Sequence, residues 1–205
     1  MQKFARANIN KVYVLGTIIT IPQFSHSTFG QDFYTFELEV RRLSGYLDIL
    51  PITISNSLID EIQIGLRVGI VGQLRSYNII IKNANRLMIT VFAKKIVHQK
   101  DSKDATNEIY LEGYVCKSPI YRITPFKREI CDLLIACNRS YGKSDYIPTI
   151  AWGKNATVSK EFTQGNKISL NGRVQSRTYK KTLDSNEEIT KTAYEVSITT
   201  IEKLD

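Results

Sequence analysis

Asp145-Tyr146-Ile147-Pro148-Thr149-Ile150-Ala151-Trp152-Gly153-Lys154 reads, at a period of two, as a β-strand. Ile147, Thr149 and Ala151 point one way, and their small or medium volumes suit a packed core. Tyr146, Ile150 and Trp152 point the other way, and Trp152 is the only tryptophan of the chain. Gly153 and Lys154 then close the strand with a turn and a positive charge. A strand with large rings on one face beside a cation has the chemistry to stack flat rings and hold a phosphate. The competing reading is that both faces are core and the rings are buried.

Working outward, the segment proves to be the second occurrence of a pattern. Asn10-Lys11-Val12-Tyr13-Val14-Leu15-Gly16 recurs, 97 residues on, as Asn107-Glu108-Ile109-Tyr110-Leu111-Glu112-Gly113. The same offset takes Pro22 to Pro119, Phe29 to Phe126, Arg42 to Arg139, Gly45 to Gly142, Asp48 to Asp145 and Pro51 to Pro148. Gly65 and Gly72 recur at an offset of 100, as Gly165 and Gly172. The chain is therefore two copies of one unit of about 100 residues, the size of a small domain. The expected boundaries are 1–97 for the first copy, 98–106 for a polar linker and 107–205 for the second copy.

Each copy reads as five strands with one short helix between the third and fourth. In the first copy the strands are expected over 11–20, 33–42, 47–55, 67–81 and 87–97, with helical turns over 56–61 capped by Asn56 or Ser57. In the second they are expected over 108–117, 130–139, 145–152, 167–180 and 193–201, with a helix over 155–162. The charged connection 181–191 is either a mobile finger or a solvated hairpin tip, and its charge favours the tip. Five strands with that helix placement describe an all-β chain of two tandem OB-folds, each a small Greek-key barrel.

Composition sets the outer limits. Of 205 residues, 42% are hydrophobic and 23% charged, as in an ordinary globular protein. A net charge of +8 favours an anionic partner, nucleic acid first. Residues 1–105 carry 13 Lys and Arg against 8 Asp and Glu, and residues 106–205 carry 15 against 12. The three cysteines (Cys116, Cys131, Cys137) and two histidines (His26, His98) lack the spacing of a zinc site. No metal and no cofactor are expected. Neither a signal peptide nor an apolar run of membrane-spanning length is legible. The expected location is cytoplasmic, associated with the nucleoid. No nucleophile motif or phosphate-binding glycine loop points to an enzyme. Asp48 and Asp145 recur as a pair, and turn chemistry at a strand start accounts for them.

In the fourth strand of the second copy, Arg173, Arg177 and Tyr179 stand opposite the core-facing Ile168, Leu170 and Val174. Arginine pairs with phosphate or stacks on a base, and tyrosine stacks. Arg139-Ser140-Tyr141-Gly142-Lys143 adds an aromatic flanked by cations. With Asn107 through Gly113, Ser118-Pro119, Arg122-Ile123-Thr124-Pro125, Asn138 through Tyr141, Asp145 through Pro148, Ala151 through Lys154 and Gly172 through Tyr179, the second copy resembles the bacterial single-stranded DNA-binding protein family. The resemblance covers nearly all of residues 107–205. It implies that Tyr141, Tyr146, Trp152 and Tyr179 stack on bases. It implies also that Arg122, Arg139, Lys143, Lys154, Arg173 and Arg177 track the phosphates. It suggests four OB-folds per working assembly, which a homodimer of this chain would supply.

There are two departures. The sequence ends at Leu204-Asp205 with the fifth strand, so no acidic recruitment tail is expected. In the first copy Ser44, Ile49, Ser55 and Ile79 stand where the second has Tyr141, Tyr146, Trp152 and Tyr179. That copy keeps the skeleton and loses the aromatics. Arg41, Arg42, Tyr46, Arg75 and Tyr77, with Lys82, are its weaker candidates. The sequence thus reads as a non-catalytic, sequence-tolerant binder of single-stranded DNA serving replication, recombination or repair. A protein-docking accessory of replication and a binder of single-stranded RNA remain the alternatives.

Overall fold

Alternation along the strands places one residue in two against a core, and each copy closes that core into a ring. The computed structural model describes residues 9–81, 84–98, 107–139, 142–182 and 188–204. The first copy contains β1 (Asn10–Ile18), β2 (Gln23–Thr28), β3 (Gln31–Arg41), β4 (Leu47–Ser55), a 3-10 turn (Asn56–Glu61), β5 (Arg67–Ile81) and β6 (Ala84–His98). The second contains β7 (Asn107–Val115), β8 (Ile120–Ile123), β9 (Glu129–Asn138), β10 (Ser144–Trp152), α1 (Lys154–Ser159), β11 (Lys167–Thr182) and β12 (Glu188–Leu204).

β1 pairs with both β3 and β5, β5 with β6, and β4 with β3, all antiparallel; β4 and β6 close the ring as a parallel pair. The second copy repeats this circuit through β7, β9, β10, β12 and β11. Two five-stranded Greek-key barrels with a helical turn between their third and fourth ring strands are two OB-folds. Leu38, Leu50, Ile52, Ile70 and Leu74 fill the first barrel, and Leu111, Ile135, Ile147, Ile168 and Leu170 the second, all at most 1% exposed. The repeated glycines mark where strands crowd. A Cβ at Gly16 would overlap the Glu39 carbonyl oxygen where β1 meets β3, and one at Gly113 the Ala136 carbonyl oxygen where β7 meets β9.

The barrels share one sheet. β1 pairs antiparallel with β7, from Asn10↔Leu111 to Val14↔Asn107. The central pair, Val12↔Ile109, joins equivalent residues of the two copies, so the barrels are related by a pseudo-two-fold axis.

A pair of reciprocal polar clusters ties them further. Arg42 Nε and Nη2 grip Asp48 at 2.6 Å each, and Nη2 also donates to the Ser176 carbonyl at 2.8 Å. Ser176, from the other copy, donates its N–H (2.7 Å) and hydroxyl (2.8 Å) to Asp48 Oδ1. In mirror fashion Arg139 grips Asp145 with Nε (2.6 Å) and Nη2, and donates to the Ser76 carbonyl at 2.9 Å. Ser76 donates its N–H to Asp145 Oδ1 at 2.5 Å, and its hydroxyl oxygen accepts the Tyr146 N–H at 2.7 Å. Asp48 and Asp145 are 0% and 1% exposed. This corrects the turn reading of the two aspartates: they are buried acceptors at the seam between the copies.

The structure also adds strands β2 and β8, each a short hairpin partner of the strand that follows. Every residue of β2 is exposed, so no buried alternation betrays it. β11 and β12 run on as paired strands to Thr182↔Glu188, with Lys180 Nζ 2.8 Å from Glu188 Oε2. The connection 181–191 is thus mostly hairpin, and 183–187 lie outside the described residues. His98 ends β6, and the rest of the expected linker, 99–106, lies outside them too. The expected caps Asn56 and Ser57 belong to the 3-10 turn itself, whose N-cap is Ser55.

Two cysteines of β9 give the fold a pH dependence. Burial pushes the Cys131 thiol up to about 11 and the Cys137 thiol up to about 12, against an ordinary 9.0. A raised thiol pKa means that the folded chain holds its proton longer than the unfolded chain does. The stabilisation is complete below pH 9 and is lost as pH rises toward 11 and 12. The expected result is a urea midpoint that falls above pH 9. Alkylation at pH 8 should modify the half-buried Cys116 well before Cys131 or Cys137; equal rates at all three would contradict the burial.

Candidate nucleic-acid interface

β10 divides its side chains as its alternation dictates. Ile147, Thr149 and Ala151 are buried in the second barrel at 0%, 2% and 0% exposure. Tyr146 and Trp152 stand on the outer face at 46% and 39%. The rings are therefore surface groups, ~20 Å apart at about 3.4 Å of rise per residue. Ile150 shares their face yet is 4% exposed, so it is the apolar floor between them. Gly153, at φ +51°, ends the strand in a left-handed turn that a side chain resists, and Lys154 follows exposed at the start of α1. Lys143 is exposed just ahead of β10. Tyr141 lies outside the described residues.

β11 carries Tyr179, 39% exposed, on the hairpin arm that it forms with β12. The Arg177 guanidinium lies 5.6 Å from the Tyr179 ring centre, and its Nε is 3.7 Å from Glu195 Oε2. Arg173 is exposed and lines a groove of about 1000 Å³ between the barrels with Lys11, Arg41 and Lys94. Arg122 sits on the β8 hairpin and pairs with Asp132 at 2.7 Å. Arg139 is the residue that the structure assigns elsewhere. Its guanidinium is committed to Asp145 and Ser76 at the seam.

Of the first-copy candidates, Arg42 is committed to Asp48 in the same way, and its guanidinium also lies 4.5 Å from the Tyr46 ring centre. The bond to Asp48 holds the Arg42 pKa above its ordinary value. Tyr46 and Tyr77 are 48% and 47% exposed. Lys82 lies outside the described residues. Sequence reasoning missed an aromatic ladder on this barrel. His26 stacks on Phe33 at 5.0 Å, Phe33 meets Phe92 at 5.6 Å, and the Arg75 guanidinium lies 4.8 Å from the Phe92 ring centre. The signal was parity: Phe33 stands on the β3 face of Glu37 and Glu39, opposite the buried Phe36 and Leu38.

Residues 106–204 match the model of the single-strand binding protein family. Single-stranded DNA-binding protein 1 of Clostridium acetobutylicum is 35% identical over 81 residues, which span 74% of that protein and 36% of this chain. The chain belongs to the single-strand binding protein family. A second family relative, single-stranded DNA-binding protein B of Bacillus subtilis, is 29% identical over 80 residues, 71% of its length and 36% of this chain. The crystal structure of the wild-type single-stranded DNA binding protein from Thermus aquaticus superposes with a TM-score of 0.75, covering 96% of this chain and 93% of that one. At 17% identity that likeness speaks for the fold of both barrels. The family match itself falls on the second copy, where Tyr146, Trp152 and Tyr179 lie.

Proposed function

We propose that this chain is a non-catalytic, sequence-tolerant single-stranded DNA-binding protein acting in replication, recombination or repair. The observation that carries the reading is the outer face of β10, where Tyr146 and Trp152 stand exposed above a well-filled core. Bases stack on Tyr141, Tyr146, Trp152 and Tyr179. Lys143, Lys154, Arg173, Arg177 and Arg122 take the phosphates. Residues 1–97 and 107–205 are two domains, and the aromatics named here belong to the second. The site of action is the cytoplasm.

Titration with oligo-dT by gel shift at two salt concentrations tests the reading. Affinity should fall as salt rises, with a log–log slope of about −0.7 for each phosphate neutralised. Salt-independent binding, or equal binding of a fully duplexed oligomer, would sink it. A matched RNA oligomer should compete less well than the DNA.

We also propose that two chains pair, so that four barrels act together. Light scattering should give twice the 23.4 kDa of one chain. A monomer that binds oligo-dT tightly would overturn the pairing.

A further inference from the structure

We propose that the first copy reaches into the DNA-binding surface through Arg75, whose guanidinium takes a phosphate oxygen of the same single strand at the seam between the barrels. The proposal rests on the single-stranded DNA reading above. Its residues belong to the copy that lies outside the family match and lacks the four aromatics.

β5 outgrows its own barrel and crosses to the second. Its Ser76 is the residue that holds the Tyr146 N–H and donates to Asp145. Arg75, one position earlier, is therefore anchored beside the backbone of an exposed ring of the second barrel. Its side chain turns to the other face of β5, where the Phe92 ring lies 4.8 Å from the guanidinium. Phe92 is in turn backed by Phe33 and His26. The cation is thus held on a rigid aromatic support, with Tyr77 two residues on along the same strand face, 47% exposed.

The support leaves the charge under-served. Arg75 Nη2 donates to the neutral Gln73 Oε1 at 2.9 Å. Arg75 Nε is buried and has no hydrogen-bond partner among the described residues, where Arg75 also has no carboxylate partner. Burial first, and then the like charge of Arg139, lower its pKa, and Asp145 only partly offsets them. Asp145 is already gripped by Arg139 and Ser76. A partly buried cation without an anion is costly unless one arrives, and because Nε is buried the phosphate is taken by the outer Nη groups. The matching position of the second copy shows the contrast. There Gln175 is neutral and satisfied, its Nε2 donating to Glu195 Oε1 at 2.9 Å. The copies exchange this pair: where the first has Gln73 and Arg75 the second has Arg173 and Gln175, with Arg173 Nη2 donating to Gln175 Oε1 at 3.3 Å. In the first copy the cation thus stands two residues further along the strand, and a guanidinium is the donor geometry that phosphate fits.

The test is Arg75→Gln, which installs the residue found at position 175, with Arg75→Lys as the charge-retaining companion. Each full-length chain is titrated with oligo-dT across a salt series, and its melting temperature is measured without DNA. Arg75→Gln should weaken binding roughly tenfold or more, and its log–log salt slope should be less negative by about 0.7. Its melting temperature should hold or rise, because an uncompensated cation has gone. Arg75→Lys should keep the parent slope. An Arg75→Gln chain with the parent's affinity and slope overturns the proposal. So does one whose melting temperature collapses, because the guanidinium is then a structural group. Failure of the parent chain to bind oligo-dT is a different result, and it overturns the single-stranded DNA reading itself.

Discussion

Trp152→Ala is expected to weaken oligo-dT binding by roughly 1–3 kcal/mol, about 5- to 150-fold, while the protein stays folded. Trp152 is the only tryptophan and is 39% exposed on the outer face of β10, so a base stacked on it should quench the emission of the unlabelled parent. The substitution removes an outward-facing ring and leaves the core side of the strand (Ile147, Thr149, Ala151) untouched. Tyr179→Ala should cost a similar amount. The matching positions of the first copy hold Ser55 and Ile79, and Ser55→Ala and Ile79→Ala should cost far less. Ser55 Oγ is engaged with Ser57 Oγ at 2.7 Å, so neither its chemistry nor its size offers a stacking surface. Equal losses from the two pairs would place the stacking elsewhere. Unfolding by Trp152→Ala would make the indole a core group.

Arg139→Ala is expected to damage the fold rather than the DNA contacts. It leaves Asp145, 1% exposed, without its bidentate partner, a situation that typically costs about 3–5 kcal/mol. For a chain of this length each kcal/mol shifts the melting temperature by roughly 2–4 °C, so the expected drop is about 6–20 °C. Arg42→Ala should do the same through Asp48, which is 0% exposed. Ser76→Ala combined with Arg139→Ala should destabilise by less than the sum of the two, because both serve one carboxylate. A melting temperature that Arg139→Ala leaves unchanged would mean that the seam is not held this way. A change in salt slope without a change in stability would return Arg139 to the phosphate-binding set.

The fold was legible because strands bury alternate residues. Ile147, Thr149 and Ala151 against Tyr146 and Trp152 is a local pattern, and the recurrence of Gly16 as Gly113 and Gly72 as Gly172 doubled it into two barrels. What local pattern cannot carry is a partner far along the chain. Asp48 meets Ser176, 128 residues away, and Asp145 meets Ser76, 69 residues away. Beside a strand start, each aspartate looked like turn chemistry. Yet Arg42 and Arg139, Asp48 and Asp145, and Ser76 and Ser176 all recur between copies. The rings at Tyr146, Trp152 and Tyr179 do not. Polar residues retained where the aromatics were lost were the trace of a contact between the copies, and that comparison is what would have shown Arg139 engaged at the seam. β2 was invisible for another reason: a strand exposed along its whole length has no buried face to write into the sequence.

The pairing of β1 with β7 about Val12 and Ile109 has a consequence for direction. Two separate copies of one barrel, joined in that way, would be identical on either side of the axis. A polynucleotide laid across them would meet the same groups whichever end came first. Joining the copies in a single polypeptide removes that equivalence, because each side can change alone. Here one side has Trp152, Tyr179 and Gln175, and the other has Ser55, Ile79 and Arg75. The two sides are therefore no longer equivalent, and a polynucleotide laid across both barrels in one 5′-to-3′ sense would meet different groups from one laid in the other.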